Sequence, residues 1–512
     1  MPEEDLIAER RRKVDELAAL GVPAYNVDFR PDATLAEAVA RLVAFEEAAG
    51  AASEEGSPRE GPVVAVAGRV AQLRMQGKVC FAHIEDEERR MQMWFRHDRL
   101  GAAQFAVVEL LDNGDIIGVR GPLTRTRRGE PSVLADECTL LVKALRPPPE
   151  KYHGISDQET RYRKRYLDLI GSVMQRRHFA MRSEVVRSVR GTLDRRGYLE
   201  VETPILQTIA GGARARPFVT HWNALNIDVY LRIAIELHLK RLLVGGYRRV
   251  YEIGRVFRNE GLSPRHNPEF TMLEAYEAYA DYATMRALTE DIIVDAANAV
   301  GAQADDDGGS PPCDNPLARH VGGRPIDLTP PFRTARLVDL VGEACGIDVL
   351  GAWDKETLGD EARRLGVEIA PGLGPGATLL EIYEQRVEHT LWEPTFVLDY
   401  PAEVSPLARR RADDGRFVER FELIVAGREL ANAFSELNDP IDQRRRFEEQ
   451  ARLRSAGDEE APPVDEDFLE AIETGMPPSG GLGLGIDRLV MLLSDSPTIR
   501  DVLLFPTMRP KP

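Results

Sequence analysis

Residues 257–270, FRNEGLSPRHNPEF, set an arginine and a glutamate two apart on a predicted strand, then a polar turn with Arg265 and His266, then an aromatic, Phe270. Side chains two apart on a strand share a face, so Arg258 and Glu260 point the same way. Such a strand–loop–strand can put a guanidinium on a phosphate and a ring under a purine. Arginine suits that role because it is permanently charged and donates as a bidentate fork. A solvated charge ladder explains the Arg258–Glu260 pair equally well. GLGLGIDR, residues 481–488, is the second constellation. Alternating glycines admit a ligand close to the backbone, and Arg488 at the start of the apolar helix LVMLL makes an anion site. The competing reading is that the glycines only permit close helix–strand packing.

RFELIVAGRELANAFSELND is the third, with Glu422, Glu429 and Glu436 in a predicted strand–turn–strand. Carboxylates gathered on a buried sheet repel one another unless a cation joins them. Magnesium held by one or two carboxylates and substrate phosphate oxygens would do so, and a substrate ammonium would suit the same acids. A spacing of seven puts neighbours on opposite faces of an ideal strand, so a turn and a bulge must intervene for the three to converge. The alternative is that one or more glutamates face solvent. Together the three constellations indicate a nucleotide site with magnesium. There is no GxxxxGK[ST] sequence, so the chain is not a P-loop enzyme.

Outward from these strings, residues 171–196 read as a helix ending at Gly197, and 440–456 as another. Strand patterns appear at TFVLDY, RFELIVAG and RELANAFSEL. From about 301 to 394 the signal weakens: ADDDGGSPPCDNP reads as a flexible loop, and 354–366 and 377–392 as helices. Nearer the N-terminus, residues 3–20 form an amphipathic helix, and GAASEEGSPREGP, 50–62, a linker. Five short strand patterns between 63 and 145, separated by turn signals, predict an OB-fold barrel. Pro147-Pro148-Pro149 then makes a stiff connector. The expected organisation is a helical extension and linker at 1–60, an OB-fold at 61–146, a connector at 147–170 and a catalytic domain at 171–512 with an insertion at about 301–394. The fold class is α+β, the barrel preceding a mixed, mainly antiparallel sheet flanked by helices.

A chain of 512 residues exceeds one compact core. No stretch approaches the apolar length of a membrane span, and the first residues lack the apolar core of a signal peptide. Four scattered cysteines without a CxxC pair suggest a reducing cytosol. A net charge of −18 opposes nonspecific nucleic-acid binding but allows a specific basic site. The basic clusters Arg10-Arg11-Arg12-Lys13 and Arg161 with Arg163-Lys164-Arg165 read, each alone, as solvated helix faces.

FRNE resembles motif 2 of the class II aminoacyl-tRNA synthetases, GLGLGIDR resembles motif 3, and GYLEVETPIL, 197–206, resembles motif 1 with its proline at Pro204. Within that class RYRKRYLDLI, YLRIAIELHLKRLLVGG, RHNPEFTMLEAYEAYADY, GRELANAFSELNDPIDQ and TIRDVLLFPTMRP resemble the bacterial-type lysyl-tRNA synthetases. HNPEFTMLE and FSELND separate these from aspartyl and asparaginyl enzymes. The resemblance runs from about residue 61 to the C-terminus and is weak at 301–350.

It implies an ATP-dependent ligase that activates lysine as lysyl-adenylate and loads tRNA(Lys), with up to three Mg2+ ions per subunit. A cytoplasmic homodimer without membrane contact is implied too. Arg258 and Arg488 would be catalytic, and Glu260, His266, Asn267 and Phe270 would join them around ATP. Gly212, Glu236, Glu274, Tyr276, Asn432, Phe434, Glu436 and Gly483, with Arg258, would hold lysine. Glu422 and Glu429 would hold magnesium. Phe81, Gln92 and Glu137 would read the anticodon, stacking on and hydrogen-bonding unpaired bases.

Overall fold

The computed structural model describes residues 2–48, 59–87, 89–148, 155–261, 263–301, 315–370, 372–455 and 463–510. Most of the expected linker at 50–62, Pro149 and nearly all of the loop at 304–316 lie outside them. The chain forms two units, Met1–Arg177 and His178–Pro512.

The first unit opens with α1 (Glu3–Ala19) and α2 (Leu35–Ala48). Its barrel comprises β1 (Val63–Gln76), β2 (Val79–Glu85) and β3 (Arg90–Arg96), then α3 (His97–Glu109), then β4 (Ile116–Arg125), β5 (Pro131–Leu134) and β6 (Glu137–Val142). The strand order is β1-β2-β3-β5-β4-β6, and β4 also pairs with β1, which closes the barrel. A register shift between Val70 and Gln72 bends the long β1 so that it serves both β2 and β4. Alternate residues such as Val66, Ile84, Met93, Ile117 and Val133 fill the interior. Six strands replace the expected five because SVLADECTLLV breaks at Ala135-Asp136. α2 went unforeseen although Leu35, Ala38, Val39 and Leu42 have helical spacing and are buried.

Parts of the two basic clusters are pinned, while Arg11, Arg12 and Lys164 remain exposed as a solvated face would have them. Arg10 is buried and donates to the carbonyls of Ala144 (2.7 Å) and Asn113 (2.9 Å), and Lys13 pairs with Asp112 at 2.7 Å. Further on, α4 (Gln158–Arg163) and α5 (Arg165–Gly171) share Asp168, which accepts from Arg161 (3.1 Å) and from the buried Arg165 (2.6 Å).

The second unit begins within α6 (Val173–Arg195) and continues through β7 (Leu199–Glu200). A small sheet of β8 (Leu206–Gln207), β9 (Val219–Trp222) and β10 (Ile227–Leu231) comes next, then α7 (Glu236–Val244), β11 (Arg249–Phe257), β12 (Glu269–Ala278) and α8 (Tyr282–Val300). The region of weak signal holds the hairpin β13 (Ala318–Val321)–β14 (Arg324–Asp327), β15 (Arg333–Arg336), and the helices α9 (Leu337–Cys345), α10 (Lys355–Arg364) and α11 (Pro375–Arg386). The rest is β16 (Thr395–Leu398), β17 (Arg420–Val425), β18 (Arg428–Ser435), α12 (Pro440–Ser455), α13 (Glu466–Glu473), β19 (Ser479–Gly485) and α14 (Ile486–Leu493).

Eight strands form one sheet in the order β15-β16-β17-β18-β19-β12-β11-β7. It is antiparallel through its centre and parallel only at the two edge pairings, β15 with β16 and β7 with β11. Its faces follow from period-two alternation. Leu273, Ala275, Ala431, Ala433, Leu482 and Leu484 point down into a core with Met285, Leu288 and Ile292 of α8 and Leu489 of α14. The intervening residues form the upper face, where the site lies.

Candidate active site

The glycines of GLGLG alternate with those core leucines, so Gly481, Gly483 and Gly485 form a floor without side chains. Above it opens a cavity of about 880 Å³, lined also by Arg258, Glu260, His266, Asn267, Phe270, Glu274, Tyr276, Asn432, Phe434 and Arg488. That is the size of a small-ligand cleft. The register aligns the walls. Gly483 lies between Asn432 and Glu274, with Glu422 opposite Asn432. Gly481 lies between Phe434 and Tyr276. A Cβ on Gly481 would come within 2.0 Å of Glu436 Oε1 and 2.5 Å of the Tyr276 ring, so this position excludes any side chain.

The hairpin resolves the spacing of the three glutamates. Ala426 and Gly427 turn it with φ of 52° and 67°, and the register shifts after Leu423, where Ile424 faces Glu429 while Leu423 faces Ala431. The extra residue, Leu430, restores the parity between Glu429 and Asn432. Arg258 and Glu260 do not share a strand as expected: β11 ends at Phe257, and the Glu260 amide donates back to the Arg258 carbonyl in a tight turn.

The cleft has a cationic end. Arg258 is stacked 5.2 Å from the Phe270 centroid and donates to the Ile233 carbonyl at 3.4 Å. It forms no salt bridge with a described residue, and burial lowers its pKa despite nearby Glu260 and Glu429. A half-buried guanidinium that no carboxylate pairs with directly is poised to receive an anion. Arg488 donates to both the carbonyl (2.7 Å) and the carboxylate (3.0 Å) of Glu429. His266 is held by Ser263 Oγ at 2.9 Å, and burial, then Arg488, lower its pKa. Asn267 is buried with its Oδ1 unpartnered among the described residues.

Beside this lies an acidic group. Glu422 accepts from Tyr400 (2.9 Å) and Arg420 (2.6 Å), yet burial, with Glu429 adding repulsion, pushes it up to about 7. Burial opposes ionisation of Glu429, but Arg488 outweighs it and its pKa falls. Glu384 and Glu388, which the sequence did not bring to notice, are pushed up to about 7 by burial and by neighbouring carboxylates. Among the described residues no group of three or more His, Cys, Asp or Glu side chains is arranged as a metal cage. The donor set does fit a magnesium held partly by phosphate: oxygen ligands only, and mutual repulsion that a divalent cation would relieve.

The opposite end is anionic and closed. Glu236, Glu274 and Glu436 are all buried. Glu274 is fixed by the Ile235 amide (2.9 Å) and the Tyr276 hydroxyl (3.0 Å), so Tyr276 serves Glu274 directly. Burial and then Glu236 push Glu274 up to about 7. Glu436 is 1% exposed and lies against Gly481 behind the cavity wall, and neither of its carboxylate oxygens accepts a hydrogen bond from the described residues; burial raises its pKa well above the usual carboxylate range despite Lys240. The sequence reading missed Lys240. It is fully buried on α7, 2.5 Å from Glu236 and paired also with Glu436. Its position one turn after Glu236 was the available signal. Gly212, with φ of 85°, lies against Ala234 and Glu236 on the cavity wall.

In the barrel, Phe81 stacks on Trp94 with centroids 5.7 Å apart, and Gln92 lies on the same face two residues before Trp94. The Gln92 amide is already engaged: it donates to Glu130 at 2.8 Å and accepts from Ser132 at 3.0 Å. Glu137 is exposed at the start of β6.

Residues 157–509 match the family model of class II tRNA synthetases (D, K and N), and residues 64–141 match that of an OB-fold nucleic acid binding domain. The chain is 50% identical to a lysine–tRNA ligase of Moorella thermoacetica, over 99% of each chain. It is 48% identical to a lysine–tRNA ligase of Listeria monocytogenes, over 99% of this chain and 97% of that one. With a lysine–tRNA ligase of Lysinibacillus sphaericus the identity is 52%, over 87% of each.

Proposed function

The chain belongs to the class II tRNA synthetases, among the lysine–tRNA ligases, and from that membership we propose how its cleft performs ATP-dependent charging of tRNA with lysine. The observation that carries the reading is a shortage of positive charge. Three buried carboxylates, Glu236, Glu274 and Glu436, have one ion-paired cation among the described residues, Lys240, with Arg258 acting on Glu274 from a greater distance. Lysine brings two ammonium groups and a carboxylate. The ammonium groups balance the acids, and the carboxylate meets the unpaired Arg258. Aspartate would add a second carboxylate to this pocket and asparagine would supply no second cation, so both are disfavoured by uncompensated buried charge.

Glu236, with the backbone at Gly212, takes the α-amino group. Glu436 Oε1, backed by Tyr276 and Glu274 and flanked by Phe434, takes the ε-ammonium above Gly481 and Gly483, while Asn432 closes the side. ATP lies toward the cationic end with adenine on Phe270, Arg258 on the α-phosphate, Arg488 on the γ-phosphate, and Glu260, His266 and Asn267 around the nucleotide. Glu422 and Glu429 would hold magnesium, which supplies charge neutralisation on the phosphates.

The lysine carboxylate is ionised at neutral pH and needs no general base. It attacks the α-phosphorus in line as the bond to pyrophosphate breaks. Arg258 orients both reactants and meets the charge that grows on the phosphate oxygens. A ribose hydroxyl of the terminal adenosine of tRNA then attacks the lysyl-adenylate carbonyl, and AMP leaves. In the barrel, Phe81 stacks on an anticodon base, and Gln92 and Glu137 contact base edges, Gln92 by exchanging a bond now made to Glu130.

No helix among the described residues is long and apolar enough to cross a membrane. We read the protein as a cytoplasmic homodimer. Leu199, Ile205, Leu206, Val219, Trp222 and Ile227, on or beside β7–β10, are each exposed, and an interface between copies would cover such apolar side chains. The test of the reading is ATP–pyrophosphate exchange with each standard amino acid in turn. Exchange should depend on lysine, and exchange driven by aspartate or asparagine instead would refute it.

A further inference from the structure

Lys240, a buried charge between the two acids assigned to the lysine ammonium groups, has no contact with the ligand. Lys240 touches neither the cavity nor solvent, and a buried ammonium is costly unless paired. It donates to Glu236 Oε1 at 2.5 Å, one turn back on α7, and forms an ion pair with Glu436 Oε2 just after β18. Its ammonium also lies 5.5 Å from the Phe434 ring centroid and 5.9 Å from that of Phe468, two aromatic walls that favour a cation and leave it little room to swing. Burial favours the neutral amine, but the two carboxylates outweigh it, and its pKa is raised.

We propose that Lys240 is a positioning residue that ties Glu236 and Glu436, the two ammonium-receiving carboxylates, to one another and so sets the length of diamino acid that the pocket accepts. The proposal rests on the assignment of lysine to this pocket and adds what fixes its dimensions. The division of labour is visible at Glu436. Oε2 is ion-paired with Lys240, while Oε1 lies over Gly481; neither oxygen accepts a hydrogen bond from the described residues. Clamped on one oxygen, the carboxylate cannot follow a shorter side chain inward. Clamped through the same ammonium, Glu236 keeps its place at the α-amino end. Without the strut, Glu436 is free to rotate toward whatever cation enters, and a chain one methylene shorter, as in ornithine, can be met.

The test is Lys240→Met, which keeps most of the stem and removes the charge, assayed by ATP–pyrophosphate exchange with lysine and with ornithine. Members of one buried network couple strongly enough that the lysine KM should rise about tenfold or more, with the ATP KM and kcat changed far less. The preference for lysine over ornithine should fall by a similar factor. Lys240→Arg, which restores a cation to both acids, should recover part of the loss. A folded Lys240→Met protein with wild-type lysine KM and wild-type discrimination overturns the proposal. So does a variant in which the KM values for lysine and ATP rise equally, because a general loosening would do that. If Lys240→Met does not fold, Lys240→Gln is assayed in the same way, and the same results support or overturn the proposal. The wild-type arm is separate: absence of lysine-dependent exchange there would sink the pocket assignment itself.

Discussion

Changing Glu436 to glutamine removes the carboxylate whose charge meets an incoming ammonium, and almost no volume, from a site that is 1% exposed and where burial raises its pKa well above the usual range despite Lys240. Water cannot screen the missing charge there, so the loss is close to that of a fully buried pair. Breaking a buried, hydrogen-bonded charge pair costs roughly 2–5 kcal/mol. Glutamine keeps one acceptor oxygen for the incoming ammonium, which puts the cost in the lower half, about 2–3 kcal/mol, or roughly 30- to 150-fold in kcat/KM for lysine. Lys240 retains Glu236 at 2.5 Å, so the resident cation stays paired and the fold should survive. The nucleotide lies at the other end of the cleft, and its KM should stay within about twofold. The assay is ATP–pyrophosphate exchange at varied lysine and at varied ATP, with the thermal midpoint followed in parallel. An unchanged kcat/KM for lysine would remove Glu436 from ammonium recognition, and so would equal losses for the two substrates.

Arg258→Ala should nearly abolish adenylate formation, since it removes a half-buried guanidinium that forms no salt bridge among the described residues; near wild-type exchange would contradict that role. Glu274, raised from 4.5 to about 7, must be ionised to help bind an ammonium group. The lysine kcat/KM should therefore rise with pH through about 7, and Glu274→Gln should flatten that limb. Without ligands the sign reverses for stability: between 4.5 and about 7 the folded state holds a proton that the unfolded chain has released, so this group's contribution is lost as pH rises, and the Glu274→Gln protein should lack that part of the slope in Tm. Phe81→Ala should spare exchange but raise the KM for tRNA by about 5- to 150-fold, the worth of one stacked base at about 1–3 kcal/mol; an unchanged tRNA KM would remove Phe81 from recognition. Chelation of divalent cations should stop exchange, and Glu429→Gln should raise the Mg2+ concentration needed to restore it, whereas an unaltered Mg2+ dependence would take Glu429 out of the metal site.

Where a pattern has a short physical period, the sequence was readable. GLGLG alternates glycine with leucine, and the alternation itself assigns one set to the cleft floor and the other to the core. The need for a turn and a bulge between Glu422 and Glu436 could be stated from parity alone, and both occur, at Ala426–Gly427 and at Leu430. The barrel was legible as strands, but the break at Ala135-Asp136 was not, because both halves keep β-branched and apolar residues up to the turn. Lys240 escaped notice because a lysine in LHLKRLL looks like an ordinary solvated position; only the end of β18, nearly two hundred residues on, makes it internal. Glu388 was hidden for the same reason, since its repulsion from Glu422 and Glu429 arises from tertiary proximity, whereas Glu384 is repelled first by its near neighbours in sequence, Glu381 and Glu388. The end of β11 at Phe257 shows the opposite limit, a strand pattern continuing into FRNE where the chain has already turned.

Aminoacylation of bulk tRNA with radiolabelled lysine, by the full chain in ATP and Mg2+, probes the lysine assignment head-on. Acid-precipitable label should form, should require ATP and should be lost in Arg258→Ala. Failure of lysine to enter RNA, with another amino acid entering in its place, would contradict the assignment.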